Sequence, residues 1–451
     1  MGENIFLPDI WHALGYFQSE HFTQEDFNIM ILALVLFCIT YVLMISLPKY
    51  RYIIAVSAAV LFVVIGIMPL GGVVSAINWN VLMMLTGTMG TVSLFIDSKM
   101  PNRLADWLQN LSPNVMWTAV ILSLFAGVVS AFIDNVATVL MIAPVGLALA
   151  KKLNISPVAM LICISVSSNL QGAATLVGDT TSILLGGYAN MDFLDFFFMD
   201  GRFSIFWAVE LGALVTVPVI MFIFRKDKQD VDTVELTKVT NIFPTYLLLA
   251  TIALLISASF IPNKPELTNG FICIGLCLIG FIHSALTGRK ESIKTALSEL
   301  DYQTLLLLAG LFVVIAGLTE AGVINEISKL FVKIGGSNLF LMYTLIVWGS
   351  VVVSAFVDNI PYVATMLPVV ASIAETMDCN PTVLFFGLLV GATLGGNITP
   401  IGASANIATI GILRREGYEV KNKDFFQIGI PFTFAAVLSG YLFCWFVWSG
   451  V

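Results

Sequence analysis

The hexapeptide Ser130-Ala131-Phe132-Ile133-Asp134-Asn135 returns as Ser354-Ala355-Phe356-Val357-Asp358-Asn359, displaced by 224 residues. The register extends well past the hexapeptide. Pro144 pairs with Pro368, Pro157 with Pro381, Gly172 with Gly396, Thr175 with Thr399 and Gly178 with Gly402, giving fifteen identities over 53 ungapped positions. The chain is therefore read as two related halves. Each half must accommodate the same unusual element, a carboxylate beside an amide inside an apolar run.

Composition says what surrounds that element. Lys+Arg 21 and Asp+Glu 29 amount to 11% of 451 residues, hydrophobic residues make up 58%, and mean hydropathy is +0.94. Soluble domains carry about 25% charge, so this chain cannot coat a water-facing surface and its first partner is a lipid bilayer. Disordered and coiled-coil readings fail, and a net charge of −8 gives no footprint for nucleic acid. The six cysteines form no CxxC pair, and His12, His21 and His283 are far apart, so no zinc site is expected. Cys273 and Cys277, one helical turn apart, read as small apolar residues on a lipid-facing helix. The first 26 residues hold five acids and no basic region, which does not fit a cleavable signal peptide.

About 20 apolar residues cross the hydrocarbon core. That template places spans near 27–47, 52–70, 79–96, 158–190, 204–224, 243–262, 269–287, 304–322, 381–412 and 428–450. Two further segments, 114–150 and 338–374, are interrupted by the Asp-Asn pairs and read as helical hairpins entering and leaving by the same face. Leu104, Trp107, Leu108 and Leu111 share one helical face, as do Ile324, Ile327, Leu330, Phe331 and Ile334, so two interfacial helices are expected.

Charge orients this map. With the N-terminus outside, seventeen of the 21 Lys/Arg residues fall on the cytoplasmic side, and only Arg202, Lys264, Lys329 and Lys333 fall outside. An odd number of spans per half means that the second copy inserts upside down. The expected fold class is an all-α polytopic membrane protein of two inverted-topology repeats, each with five spans plus a helical hairpin and one broken span. The repeats cover 27–224 (hairpin 114–150, broken span 158–190) and 243–450 (hairpin 338–374, broken span 381–412). An external segment 1–26 precedes them, and a charged cytoplasmic linker, 225–242, joins them. The expected location is a bacterial cytoplasmic membrane.

Inverted repeats with broken helices point to a secondary transporter whose site lies where the copies meet. In the first break the candidate ligands are Asn169, Gly172, Thr175, Gly178, Asp179, Thr180 and Ser182. In the second they are Gly395, Gly396, Asn397, Thr399, Gly402, Ser404 and Asn406. Glycines and Pro400 interrupt the helix, and the freed carbonyls and half-helix N-termini can meet a cation or an anion. The hairpin tips add Asp134, Asn135, Thr138, Asp358 and Asn359. A carboxylate at membrane depth costs about 2.5–3.5 kcal/mol on insertion scales and marks an ion or proton pathway. The same Asp is also a natural helix cap. Asp179 has Ala403 in its place in the second copy, and Glu210 has no visible partner.

The stretches Ser130–Thr138 and Gly395–Asn406 resemble the ion transporter superfamily, in the branch of arsenite-pump membrane proteins, the pigmentation P protein, NhaD-type sodium/proton antiporters and citrate-transporter-like permeases. The resemblance covers about residues 25–450. It implies a homodimeric elevator-type carrier, with substrate held between two sites where hairpin tip and unwound span bind Na⁺. Here Na⁺ is expected near Asp134, Asn135, Asp358 and Asn359. An arsenite-pump-like member would also take an energising ATPase subunit. The resulting expectation is a secondary carrier of a small anion or arsenite-like oxyacid, coupled to H⁺ or Na⁺ and needing no other cofactor. A Na⁺/H⁺ antiporter is the alternative. An intramembrane aspartyl protease would need Gly-x-Gly-Asp and Tyr-Asp in its spans. The chain offers Leu176-Val177-Gly178-Asp179 and no Tyr-Asp in a span, so no enzyme is expected.

Overall fold

Short polar side chains open many of the helices. Asn78, Asn114, Asp301 and Asn338 each accept a hydrogen bond from the backbone N–H three residues on, taking one of the donors that a helix start leaves orphaned. The computed structural model describes residues 24–336 and 338–450. Most of the 1–26 segment, with His12 and His21, lies outside the described residues.

The first half runs α1 (Gln24–Ser46), α2 (Arg51–Ile65), α3 (Trp79–Asp97), α4 (Met100–Asn110), α5 (Val115–Ser130), α6 (Asn135–Lys152), α7 (Val158–Gly172), α8 (Thr180–Tyr188) and α9 (Ile205–Ile223). The second runs α10 (Phe243–Ala258), α11 (Thr268–Leu286), α12 (Lys290–Glu299), α13 (Tyr302–Glu320), α14 (Val323–Gly335), α15 (Leu339–Ser354), α16 (Asn359–Thr376), α17 (Thr382–Gly395), α18 (Ser404–Arg415) and α19 (Asn422–Trp448). The bounds of α5 and α6 recur in α15 and α16 at the 224-residue interval. A two-stranded ribbon, β1 (Phe198–Met199) with β2 (Arg202–Phe203), turns through Asp200 and Gly201 at φ 51° and 73°. Among the described residues, eight helices are long and apolar enough to cross a membrane, and α5, α7, α10 and α17 are shorter apolar helices. The protein is an all-α polytopic membrane protein.

Packing sorts the helices into two groups. In one, α3 lies along α11 and α2 along α13, with α1 and α10 beside them. In the other, α7 packs on α5 and α6, α17 on α15 and α16, and α9 against α19. The groups meet chiefly where α3 touches α8 and α13 touches α16.

One sequence expectation changes. Cys273 and Cys277 are buried rather than lipid-facing. Gly87 and Gly90 of α3 lie against them so closely that an added Cβ would fall within 3 Å of the Cys273 backbone and the Cys277 sulfur. An all-apolar helix does not reveal which face its neighbour covers. The charged linker, in turn, is an extended strap bonded to the helices beneath it. Val115 and Met116 N–H groups donate to the Gln229 and Asp227 carbonyls at 3.1 and 3.0 Å. Asn110 exchanges two hydrogen bonds with the Val234 backbone, and Asp106 accepts from the Thr237 N–H and hydroxyl.

Candidate functional site

Both hairpin tips fold for a local reason. Asp134 caps α6 by accepting from the Val136 and Ala137 N–H groups at 2.9 and 3.1 Å, and Asp358 caps α16 by accepting from Ile360 at 3.2 Å. The breaks then lock onto the tips. Thr175 donates its hydroxyl to the Ala131 carbonyl, and Thr399 does the same to Ala355. A Cβ on Gly178 would sit 2.5–2.7 Å from the carbonyl oxygens of Gly172, Ala131 and Ser130. On Gly402 it would sit 2.6–2.9 Å from those of Gly396, Ser354 and Ala355. No side chain fits in either place, which is why both positions are glycine.

Buried amides tie the two breaks together. Asn135 donates to Asn169 at 2.9 Å, and Asn169 donates to the Thr393 carbonyl and to Asn397 at 2.8 and 3.0 Å. Asn397 donates to the Val166 carbonyl at 3.1 Å. Asn406 donates to the Gly396 and Thr399 carbonyls and accepts from Ser165. Thr181 donates to Asp179 at 2.8 Å and lies 3.0 Å from the Thr393 hydroxyl. Such a satisfied polar network fixes one arrangement of the broken helices. Ser182 donates to the Gly172 carbonyl at 3.4 Å, Gly395 packs on the Val351 backbone, and the buried Thr138 hydroxyl has no hydrogen-bond partner among the described residues.

The tips and breaks frame a cavity of about 310 Å³. Asp134, Asn135, Asp179, Thr180, Asn359 and Ser404 line it together with Ser93, Glu299, Asp301 and Thr304 from the other helix group. Among the described residues, its wall holds four carboxylates and no Lys or Arg. Asp179 also caps α8 through the Thr180 N–H at 2.8 Å, whereas α18 begins at Ala403 with no side-chain cap. Asp358 lies beside the cavity in an ion pair with Arg51 at 2.7 Å. Glu210 is not in the cavity; it accepts from Gln171 at 3.0 Å.

A second cavity, of about 610 Å³, lies among the far ends of the same helices. The first cavity takes Ser93, Thr180, Thr304 and Asn359, and the second takes Asn78, Tyr188, Glu320 and Glu375, from opposite ends of α3, α8, α13 and α16 respectively. The seam between the two helix groups thus carries a cavity at each end.

Sequence reasoning missed Arg51, Ser93, Gln171, Thr181, Glu299, Asp301 and Thr393. Thr393 alone carried a signal, since it is the repeat partner of Asn169. Among the described residues, no group of three or more His, Cys, Asp or Glu is placed to hold a metal ion.

Residues 41–391 match the CitMHS citrate transporter family. The chain belongs to that family. An uncharacterised transporter of Mycobacterium bovis is 30% identical over 431 residues, covering 92% of this chain and 98% of that protein. The human P protein is 26% identical over 84% of this chain and 54% of its own length. In fold, the chain is similar to the YdaH transporter of Alcanivorax borkumensis, with a TM-score of 0.58, 12% identity and 94% and 98% of the two chains covered. It is also similar to MtrF of Neisseria gonorrhoeae, described among a class of antimetabolite efflux pumps, with a TM-score of 0.53, 14% identity and 97% of each chain covered. This member of the family is a transporter and not an enzyme.

Proposed function

We propose that the protein is a secondary active carrier of a small anion, with citrate as the first probe and an arsenite-like oxyacid as the next, coupled to H⁺ or Na⁺. The observation that carries this reading is the cavity wall, where two hairpin tips and two helix breaks converge with four carboxylates and no base. Its volume of about 310 Å³ falls at the small end of ligand pockets, which span about 300–1,000 Å³. Like charges at this range repel an unaccompanied anion, so cations or protons must enter with it. The half-helix start at Ser404, which has no side-chain cap, offers backbone donors to the anion, whereas the starts at Asn135, Thr180 and Asn359 are capped by aspartates.

Cavities at both ends of one seam support an elevator-type cycle in which the broken-helix group slides along α3 and α13. In that scheme the copies are inverted, the N-terminus is outside, and the Lys/Arg-rich loops place Arg51, Glu299 and Asp301 on the cytoplasmic side.

The same acidic wall supports a second reading, a Na⁺/H⁺ antiporter that needs no anion. Proteoliposomes decide between them. Under the first reading, [¹⁴C]citrate uptake follows an imposed pH or Na⁺ gradient and is lost in Asp134→Asn. Under the second, adding Na⁺ alone collapses a pH gradient. Citrate or arsenite flux indifferent to both gradients would overturn the coupled-carrier reading.

A further inference from the structure

The repeat gives both hairpin tips a capping aspartate, yet the two carboxylates meet different surroundings. One oxygen of Asp358 accepts from the Ile360 N–H at 3.2 Å, and the other accepts from the Arg51 guanidinium at 2.7 Å. Arg51 comes from the first residue of α2, in the other helix group, and its Nε donates to the Met44 carbonyl at 3.3 Å. The pair is largely shielded, with side-chain exposures of 22% for Arg51 and 11% for Asp358. A few residues along α16, Tyr41 of α1 donates to the Pro361 carbonyl at 2.6 Å and bonds Thr365. Asp134, the repeat partner of Asp358, faces the acidic cavity, which no Lys or Arg among the described residues lines.

An ion pair between two helix groups cannot survive a slide of several ångströms between them. Separation would strand a carboxylate in a shielded place, which is strongly unfavourable unless another cation takes the vacated position. Besides Arg51, the charged groups near this tip are Asp134, Asp179, Glu299 and Asp301, which line one cavity with Asn359 and Ile360 and add to the demand for positive charge. The Tyr41 and Tyr362 hydroxyls nearby are held by Thr365 and Ser350.

We propose that Arg51 is a tethered cation that occupies the coupling ion's place at Asp358 in this state, so that docking of the second hairpin on α2 expels the ion. When the groups separate, Asp358 becomes free to take a Na⁺ or a proton. The inference rests on the cation-coupled reading above and names the residue that discharges the ion.

The test uses the full-length protein in detergent and needs no substrate. Thermal unfolding is followed while NaCl replaces choline chloride at constant ionic strength, at pH 6 and at pH 8. Arg51→Gln should reach half-maximal stabilisation at about tenfold lower Na⁺, or about one pH unit higher if the ion is H⁺, because the tethered competitor is gone. Arg51→Lys should stay close to wild type, and Arg51→Gln with Asp358→Asn should lose the shift. Identical midpoints in wild type and Arg51→Gln, or a shift that persists in the double variant, would overturn the proposal. Should Arg51→Gln fail to fold, Asp358→Asn carries the test. It must reduce the cation-dependent stabilisation, and full retention would equally overturn the proposal. Citrate uptake measured separately tests the carrier reading, so the two failures are distinguishable.

Discussion

The two hairpin tips share a backbone and differ in chemistry. At both, an Asp caps the returning helix, a Thr from the neighbouring break bonds the tip carbonyl, and a glycine fits against a cluster of carbonyl oxygens. Around the first, Asp134 and Asp179 look into a cavity shared with Glu299 and Asp301. Around the second, Asp358 is neutralised by Arg51, Tyr41 is bonded to the helix behind it, and Ala403 stands where Asp179 would be. Duplication thus preserved what the fold needs, while the groups able to handle ions diverged. Symmetric structure with asymmetric charge is what a carrier needs if one tip is open to ligand while the other is latched.

The largest effects should fall on the shared backbone, and equally on both halves. Gly178→Ala and Gly402→Ala each press a methyl group into carbonyl oxygens that belong to backbone and cannot step aside. Overpacking of this kind costs about 1–3 kcal/mol or more. Both variants should show a large fall in melting temperature and no transport. A severe loss at one glycine and tolerance at the other would break the equivalence of the tips.

An intermediate effect should separate them. Asp134→Asn keeps the cap, since the amide oxygen can still accept from Val136 and Ala137, and it removes one charge from a wall of four carboxylates. Its melting temperature should equal or slightly exceed that of wild type. Asp358→Asn leaves the Arg51 guanidinium without its counter-charge. The partial exposure of that pair places the cost at about 1–2 kcal/mol, below the 3–5 kcal/mol of a fully buried pair. Differential scanning fluorimetry on the two variants reads the contrast directly.

What the sequence disclosed follows the range of the interactions. The 224-residue repeat, the capping aspartates and the close-contact glycines were legible because such features act within a turn or two of themselves. Asp134, Asn135, Asp179, Thr180, Asn359 and Ser404 were all nominated from such local signals, and they line one cavity. Arg51 was counted only as a topological charge, and its bond to Asp358 spans 307 residues. Glu299 and Asp301 looked like ordinary loop acids because their position depends on how α12 and α13 seat against the tips. The face of α11 that carries Cys273 and Cys277 could have been placed from Gly87 and Gly90, whose spacing on α3 leaves room for a close neighbour.

The smallest effect is the most discriminating, because it concerns the same atom in both copies. Ser354 donates its hydroxyl to the Ala392 carbonyl, whereas the equally buried Ser130 hydroxyl has no partner among the described residues. Removing a bonded buried hydroxyl costs about 1 kcal/mol, and removing an orphaned one costs little or relieves a penalty. In choline buffer, Ser354→Ala should therefore lower the melting temperature by a few degrees, and Ser130→Ala should leave it unchanged or raise it. Sodium sharpens the comparison. If the first tip binds the ion, the Ser130 oxygen, which shares the Gly172 position with Asp179, is a spare ligand, and Ser130→Ala should lose part of the Na⁺-dependent stabilisation while Ser354→Ala keeps all of it. The two serines would then report, from one repeated position, whether the first tip holds an ion of its own beside the one that Asp358 exchanges with Arg51.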